Sequence, residues 1–490
     1  RGAPKRPCHR IVETPNESSL VAAVAPAEER GTWWSAVRVA IAGSHQDYTR
    51  GSISRAVVLL AIPMVLEMSM ESIFVVVDMF FVGRLGPYAQ ATVALTESLI
   101  TIVYAIAIGL SIGVTAMVAR RIGERDPAGA AVAAAQALWL GLALAAMLGV
   151  VGAVFARPLM AAMGADAEVL DKGLGYTRVL LGGNASVLLL FLINAIFRGA
   201  GDAAIAMRAL WLGNAFNIVL GPCFIFGLGP FPELGVMGAA VATTTGRSIG
   251  AMYAFSRLVR HGARVRLDAS HIAPDLAVMW RLVRLSASGT LQIFIGVASW
   301  IGLVRILSTF GSDALAGYAI GIRVILFALL PSWGLSNAAA TMVGQSLGAR
   351  DPERAEKAVW LAAFYNMCFL VAIGLVFLVF APQIARLFST DPDVQGYAIT
   401  CLRIVAIGFP AYAYGMVITQ SFNGAGDTWT PTVLNLFIFW LWEIPLGFIL
   451  AKPVGLGPLG IFIAIAVAYV SLALVSALLF RRGRWKSKVV

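Results

Sequence analysis

The chain has 490 residues, of which 59% are hydrophobic and only 13% charged, and its mean hydropathy is +0.82. That balance excludes an ordinary soluble globular domain and predicts an all-α polytopic membrane protein. The net charge of +11 does not point to nucleic acid, because the basic residues are spaced as membrane topology requires. Cys8, Cys223, Cys368 and Cys401 have no paired spacing, so neither a disulfide framework nor a zinc site is supported. His9, His45, His261 and His271 all fall in the N-terminal tail or the central polar joint. Any proton handled inside the membrane is therefore left to carboxylates.

Residues 1–50 are polar, contain proline and lack a period, and they read as a mostly disordered cytoplasmic tail. Within it, TWWSAVRVAIAG (32–43) carries a Trp pair suited to a membrane surface but lacks the regions of a signal peptide. Apolar runs long enough to cross about 30 Å of hydrocarbon follow. Twelve spans are expected, near 56–82, 89–118, 129–156, 173–196, 205–227, 235–260, 280–308, 314–343, 355–380, 396–421, 430–451 and 457–480.

The first span holds IPMVLEMSMESIFVVVDMFFVGRLG (62–86), with Glu67, Glu71 and Asp78 set into it. At about 100° per residue, Glu71 lies roughly 40° and Asp78 roughly 20° from Glu67, so all three share one helical face. An acid at mid-bilayer costs at least about 2.5–3.5 kcal/mol and usually faces a bundle interior or wet cavity. Glu97 in span 2 belongs to the same class, whereas Glu443 reads as lying near an interface. The bland alternative for Glu67 and Glu71 is pairing with Arg305 or Arg323.

Basic residues cluster in alternate joints: Arg120, Arg121 and Arg125; Arg198 and Arg208; Arg257 to Arg284; Arg350, Arg354 and Lys357; and 481–488. The positive-inside rule puts these joints and both termini in the cytoplasm. The longest joint, 261–279, separates an N-lobe (51–260) from a C-lobe (280–480), followed by a basic tail (481–490).

The two halves are copies. GLSIGVTAMVARRIGERDP starts at Gly109 and GLSNAAATMVGQSLGARDP at Gly334, an offset of 334 − 109 = 225. FRGAGD (197–202) and FNGAGD (422–427) repeat it, 422 − 197 = 225. Six spans per copy preserve orientation, so the axis relating them runs along the membrane normal. Asp126 and Asp351 are placed to cap the next helix, with Pro127 and Pro352 at its first position. The same offset carries Glu67, Glu71 and Asp78 onto Gln292, Gly296 and Leu303, so the acidic stripe exists in the first half only.

These motifs resemble the multidrug and toxic compound extrusion (MATE) transporters over residues 50–480. The resemblance rests on Ile62–Pro63 with Val77–Gly86, the G-x-x-D-P joint and F-R-G-A-G-D with their copies, N-I-V-L-G-P-x-F-I-F-G (217–227), and L-G-V-M-G-A-A-V-A-T (234–243). It implies twelve helices in two six-helix lobes around a V-shaped cavity, and export of organic, often cationic, compounds driven by inward H⁺ or Na⁺. Asp78 matches the family's N-lobe acid, and Asn217, Asn194 and Thr243 match further N-lobe polar positions. Gly221 replaces an acid of the pattern, which weakens a Na⁺ site at Asp78 and Asn217. Gln292 stands where one branch has a C-lobe acid, which points to the DinF-like branch.

The combined reading is an antiporter that couples through Asp78, Asn217, Asn194 and Thr243, with Glu71, Glu67, Glu97 and Gln292 as cavity or relay residues. It needs no cofactor beyond H⁺ or Na⁺. It acts as a monomer on small organic molecules in the plasma (inner) membrane, with the bilayer as partner and no nucleic acid. Pro63 denies span 1 a hydrogen bond and offers a bend that protonation could tune. A major facilitator protein is excluded because Pro follows Asp in ARRIGERDPAG. A lipid or lipid-linked precursor flippase of related fold is the closer alternative and would be expected to have a more basic cavity. An intramembrane enzyme or receptor lacks its usual motifs here.

Overall fold

The computed structural model describes residues 33–43, 47–260 and 264–488. The expectation for residues 1–32, and those for His45 and His261, fall outside the described residues. The helices are α1 (Trp33–Ala42), α2 (Ile53–Gly83), α3 (Pro87–Gly123), α4 (Pro127–Ala162), α5 (Ala167–Gly182), α6 (Ala185–Ala200), α7 (Ala203–Phe226) and α8 (Val236–Leu258). The second half holds α9 (Leu276–Leu307), α10 (Ser312–Gly348), α11 (Pro352–Phe388), α12 (Pro392–Ile407) and α13 (Phe409–Gly424). It ends with α14 (Trp429–Asn435), a π-helical segment (Leu436–Glu443), α15 (Ile444–Ala451) and α16 (Pro458–Arg481).

The 225-residue offset holds at single-residue precision in the first five spans of each lobe, and falls to 222 for α8 and α16 (236 + 222 = 458). It carries α3 onto α10 at both ends (87 + 225 = 312, 123 + 225 = 348) and α5 onto α12 (167 + 225 = 392, 182 + 225 = 407). The joints repeat as well. Asp126 Oδ1 accepts from Gly129 N at 2.8 Å and Asp351 Oδ1 from Arg354 N at 2.9 Å, the expected N-caps ahead of Pro127 and Pro352. In the two G-A-G-D reversals, Gly201 (φ +85°) and Gly426 (φ +83°) take a left-handed conformation that a side chain would oppose.

Taking α5 with α6, and α14 through α15, as continuous spans, ten helical spans among the described residues are long and apolar enough to cross a bilayer, eleven if α12 and α13, bent by 59°, count as one. The expected span over 235–260 is α8, which has 23 residues and so a length of about 35 Å. It falls short in apolarity because Thr243, Thr244, Thr245, Arg247 and Ser248 occupy its middle and Arg247 is buried inside the lobe. Val150, Val154 and Phe155 of α4 and Leu375, Val379 and Phe380 of α11 stay exposed, as a lipid-facing surface requires.

The lobes meet at the end that carries the G-x-R-D-P joints. A Cβ on Gly109 of α3 would lie 2.1 Å from Thr290 Oγ1 and 2.5 Å from Thr290 N of α9, so these helices touch backbone to backbone. Gly348 of α10 approaches Arg120 O of α3 equally closely, and Gly334 of α10 meets Met64 O of α2. Thr341 Oγ1 and Gln345 Nε2 donate across the seam to Arg198 O and Gly199 O at 3.2 and 2.9 Å. Further along α9 the space opens, and Gly296 has nothing within 4 Å of where a Cβ would stand. The result is a V closed at one end.

Chain segments expected to be loose are docked on that closed end. Arg208 Nη2 of α7 donates to Ile41 O and Ala42 O at 2.7 and 2.6 Å, holding the C-terminal end of α1. Arg354 of α11 donates to Tyr48 O, Arg50 O and Gly51 O, and Tyr48 is buried. The expected tail therefore includes a helix and a pinned turn. In the 481–490 segment, Trp485 is fully buried against Phe480, and Lys488 Nζ pairs with Asp427 at 3.3 Å. The inter-lobe joint lies on α4, where Gln136 Nε2 donates to Ala273 O and Gln136 Oε1 accepts from Asp275 N. Helix α9 starts within the expected joint, at Leu276.

Gly109→Ala forces α3 and α9 apart and should lower stability by about 1–3 kcal/mol. Gly296→Ala adds a methyl to open space and helix propensity, so it should be neutral or stabilising by about 0.5–1 kcal/mol. Thermal unfolding of the two purified variants in detergent checks this; equal losses would contradict the described seam.

Candidate functional site

The three acids of α2 meet three different environments. Glu67, 1% exposed, accepts on Oε1 from Asn194 Nδ2 (3.1 Å) and Arg198 Nη1 (2.8 Å), both on α6. One turn on, Glu71 accepts from Asn214 Nδ2 of α7 (3.1 Å) on one oxygen and from Arg247 Nη2 of α8 (2.9 Å) on the other. The Arg247 guanidinium also sits 5.8 Å from the Phe74 ring and 5.7 Å from the Tyr104 ring, and aromatic faces stabilise a buried cation. Asp78 is half-buried and has no hydrogen bond or ion pair among the described residues. The charges acting on it are Glu97 and Arg247.

Pairing of Glu67 and Glu71 with Arg305 or Arg323 does not occur: the partners are Arg198 and Arg247, within the same lobe. Arg198, expected as a topology charge in a cytoplasmic joint, instead lies inside α6, is 8% exposed and neutralises Glu67. Asn194 bonds Glu67 rather than Asp78. Asn217 Nδ2 donates to Thr243 Oγ1 at 2.8 Å, joining α7 to α8, and shares no hydrogen bond with Asp78. Glu97 is exposed on α3, and the cation acting on it is Arg323 of α10, in the opposite lobe. Gln292 is 7% exposed and accepts from Asn423 Nδ2 of α13 at 3.4 Å.

The repeat relates two of these pairs. Adding 225 to Glu67 and Arg198 gives Gln292 and Asn423, so a charged pair in the first lobe is a neutral amide pair in the second. Glu71 becomes Gly296 and Asp78 the buried Leu303; in the sixth span, where a shorter loop reduces the offset to 457 − 235 = 222, Arg247 becomes Tyr469 and Thr243 becomes Ile465. The polar network is thus particular to the first lobe. Arg198, Arg247 and Asn214 were missed as participants, although a lone arginine at the centre of an otherwise uncharged helical run was a usable signal for Arg247.

The MatE family profile matches residues 63–223 and 291–449, one segment in each lobe. The chain belongs to the MATE family of transporters. A probable multidrug resistance protein NorM of Thermotoga maritima is 27% identical over 89% of this chain and 94% of its own. An FAD transporter of Shewanella oneidensis is 26% identical over 80% and 87%. A solved structure described as the outward-facing conformation of a multidrug resistance MATE transporter superposes with a TM-score of 0.84 at 28% identity, covering 90% of this chain and 98% of that one. As a MATE protein, the chain uses the MATE scaffold with an ion-paired N-lobe, each pair tying α2 to a different helix.

Removing one partner of a buried pair strands the other charge. Arg198→Ala should therefore cost about 3–5 kcal/mol, and the double change Glu67→Gln with Arg198→Gln much less. Unfolding midpoints of the single and double variants in detergent report this; additive losses would show that the two side chains do not interact.

Proposed function

We propose that the protein is a secondary active antiporter that exports organic, cationic or amphipathic compounds in exchange for H⁺ or Na⁺, with Asp78 as the coupling carboxylate. The observation that carries this reading is the contrast within one helix. Glu67 and Glu71 each hold an arginine, whereas Asp78, on the same face, has no hydrogen-bond or ion-pair partner among the described residues and is free to take up and release a cation. Asn217 and Thr243 tie α7 to α8 and offer oxygens to a Na⁺ at Asp78, although a proton needs no such ligand set. Glu97, exposed opposite Arg323, suits a role at the cleft mouth, and Glu71 and Glu67 hold α2 in register with the lobe.

Pro63 lies inside α2 beside Met64, whose carbonyl meets Gly334 of the other lobe. The hydrogen bond that proline cannot make gives α2 a place to bend at the seam, N-terminal to all three acids. Two similar solved structures are described as MATE in straight and in bent conformations, at 29% and 28% identity. The reading requires no organic cofactor. It places one chain per transport unit in the plasma membrane with both termini cytoplasmic, by the positive-inside rule. The closed end of the V, which carries the basic joints, then faces the cytoplasm.

A second reading, export of an anionic flavin-type compound, has two observations in its favour: the relative named FAD transporter, and Arg247 beside the N-lobe acids. Transport by purified protein in sealed liposomes decides between them, using a labelled organic cation and FAD under a pH gradient alone or a Na⁺ gradient alone. Asp78→Asn should abolish gradient-driven export while substrate exchange without a gradient persists. Full gradient-driven export by the variant would remove Asp78 from coupling.

A further inference from the structure

The C-lobe contains an acid that the N-lobe mechanism leaves unused. Glu443 is the last residue of the π-helical segment Leu436–Glu443, and such irregular turns in a helix recur at functional sites. The π turn directs Glu443 inward: it is 3% exposed, while its neighbours Leu441 and Trp442 are 57% and 46% exposed. Its carboxylate has no hydrogen bond and no ion pair among the described residues, and no Lys or Arg acts on it.

The groups facing Glu443 come from three helices. Tyr318 of α10, Tyr412 of α13 and Tyr469 of α16 are within its electrostatic reach, and Trp440 of the same segment bonds α9. The Tyr412 and Tyr469 rings stack at 3.9 Å, and the Tyr318 ring stacks on Phe462 at 6.2 Å. Among the described residues, no group of three His, Cys, Asp or Glu side chains could hold a metal ion. A buried carboxylate without a cation or a hydrogen-bond donor is stable only with its own proton.

The segment also touches the cleft. Trp440 Nε1 donates to Ile295 O of α9 at 2.9 Å, and Ile444 packs closely on Gly302 of the same helix. Helix α9 is the repeat partner of α2, and Gly296 on it faces open space. Charging Glu443 would require water or a cation at the π turn, and the turn is bonded directly to the cleft wall.

We propose that Glu443 is a second proton-binding site, in the C-lobe, whose loss and gain of a proton reshapes the π-helical turn and with it α9. The site deepens the antiporter reading and rests on it for its role in transport, but its protonation can be read without any transport. Infrared difference spectra of the full chain in liposomes, titrated with pH and without substrate, provide that readout. The parent should lose a protonated-carboxyl C=O band on alkalinisation. That band should be absent in Glu443→Gln and shifted in Glu443→Asp, while Asp78→Asn removes a different one. Identical band sets in the parent and in Glu443→Gln would overturn the proposal. In the transport assay, Glu443→Gln should lower the H⁺ to substrate ratio by one with substrate exchange retained, and an unchanged ratio would also overturn it. If the parent shows no gradient-driven transport, the antiporter reading falls and the infrared bands alone decide whether Glu443 titrates.

Discussion

A carboxylate within a bilayer has three stable conditions: paired with a cation, reached by water, or protonated. The organisation of this protein follows from how it distributes its acids among them. Glu67 and Glu71 are paired, and the pairing does mechanical work, since Arg198, Asn194, Asn214 and Arg247 fasten α2 to three other helices of the same lobe. Glu97 is exposed, and Asp78 is half-buried without a partner among the described residues. The fixed pairs make α2 part of a rigid lobe up to Glu71. The length beyond, with Asp78 on it, is not fastened in this way.

Duplication provides the scaffold, and divergence provides the chemistry. The second copy reproduces helix bounds, N-caps and left-handed glycine turns, because these depend on backbone geometry that both lobes need. The copies separate at side chains inside the lobe. The Glu67–Arg198 ion pair becomes the Gln292–Asn423 amide pair, which keeps a hydrogen bond between equivalent helices without the cost of desolvating two charges. Relieved of the N-lobe network, the C-lobe fills the same volume with leucine and aromatic side chains, and its own buried acid appears elsewhere, on span 11.

The closed end of the V is held by contacts that run between the lobes. Gly109 and Gly348 let helices of opposite lobes touch at the backbone, and Arg354 and Arg208 hold the chain that precedes α2 against both halves. Arg120 Nη2 of the N-lobe donates to Lys488 O at the far end of the chain. Opening this end would break these hydrogen bonds and also part a buried apolar cluster in which Leu59, Leu60 and Met64 of α2 pack with Ala339, Met342 and Val343 of α10.

The sequence by itself determined the membrane class, the twofold repeat and its offset, the caps and turns of the joints, and the single-lobed acidic stripe. These follow from hydropathy, periodicity and local turn chemistry, which act over short stretches of chain. It also carried the family, through motifs in a fixed order, and the MatE match in both halves agrees. Which cation meets which acid was decided only by the tertiary structure. Arg198 and Arg247 lie 131 and 176 residues from their partners, and nothing local distinguishes an arginine that marks topology from one that neutralises a buried glutamate. Glu443 shows the same limit: read along the chain it lies near an interface, and only the packing of the π turn makes it a buried acid without a cation among the described residues.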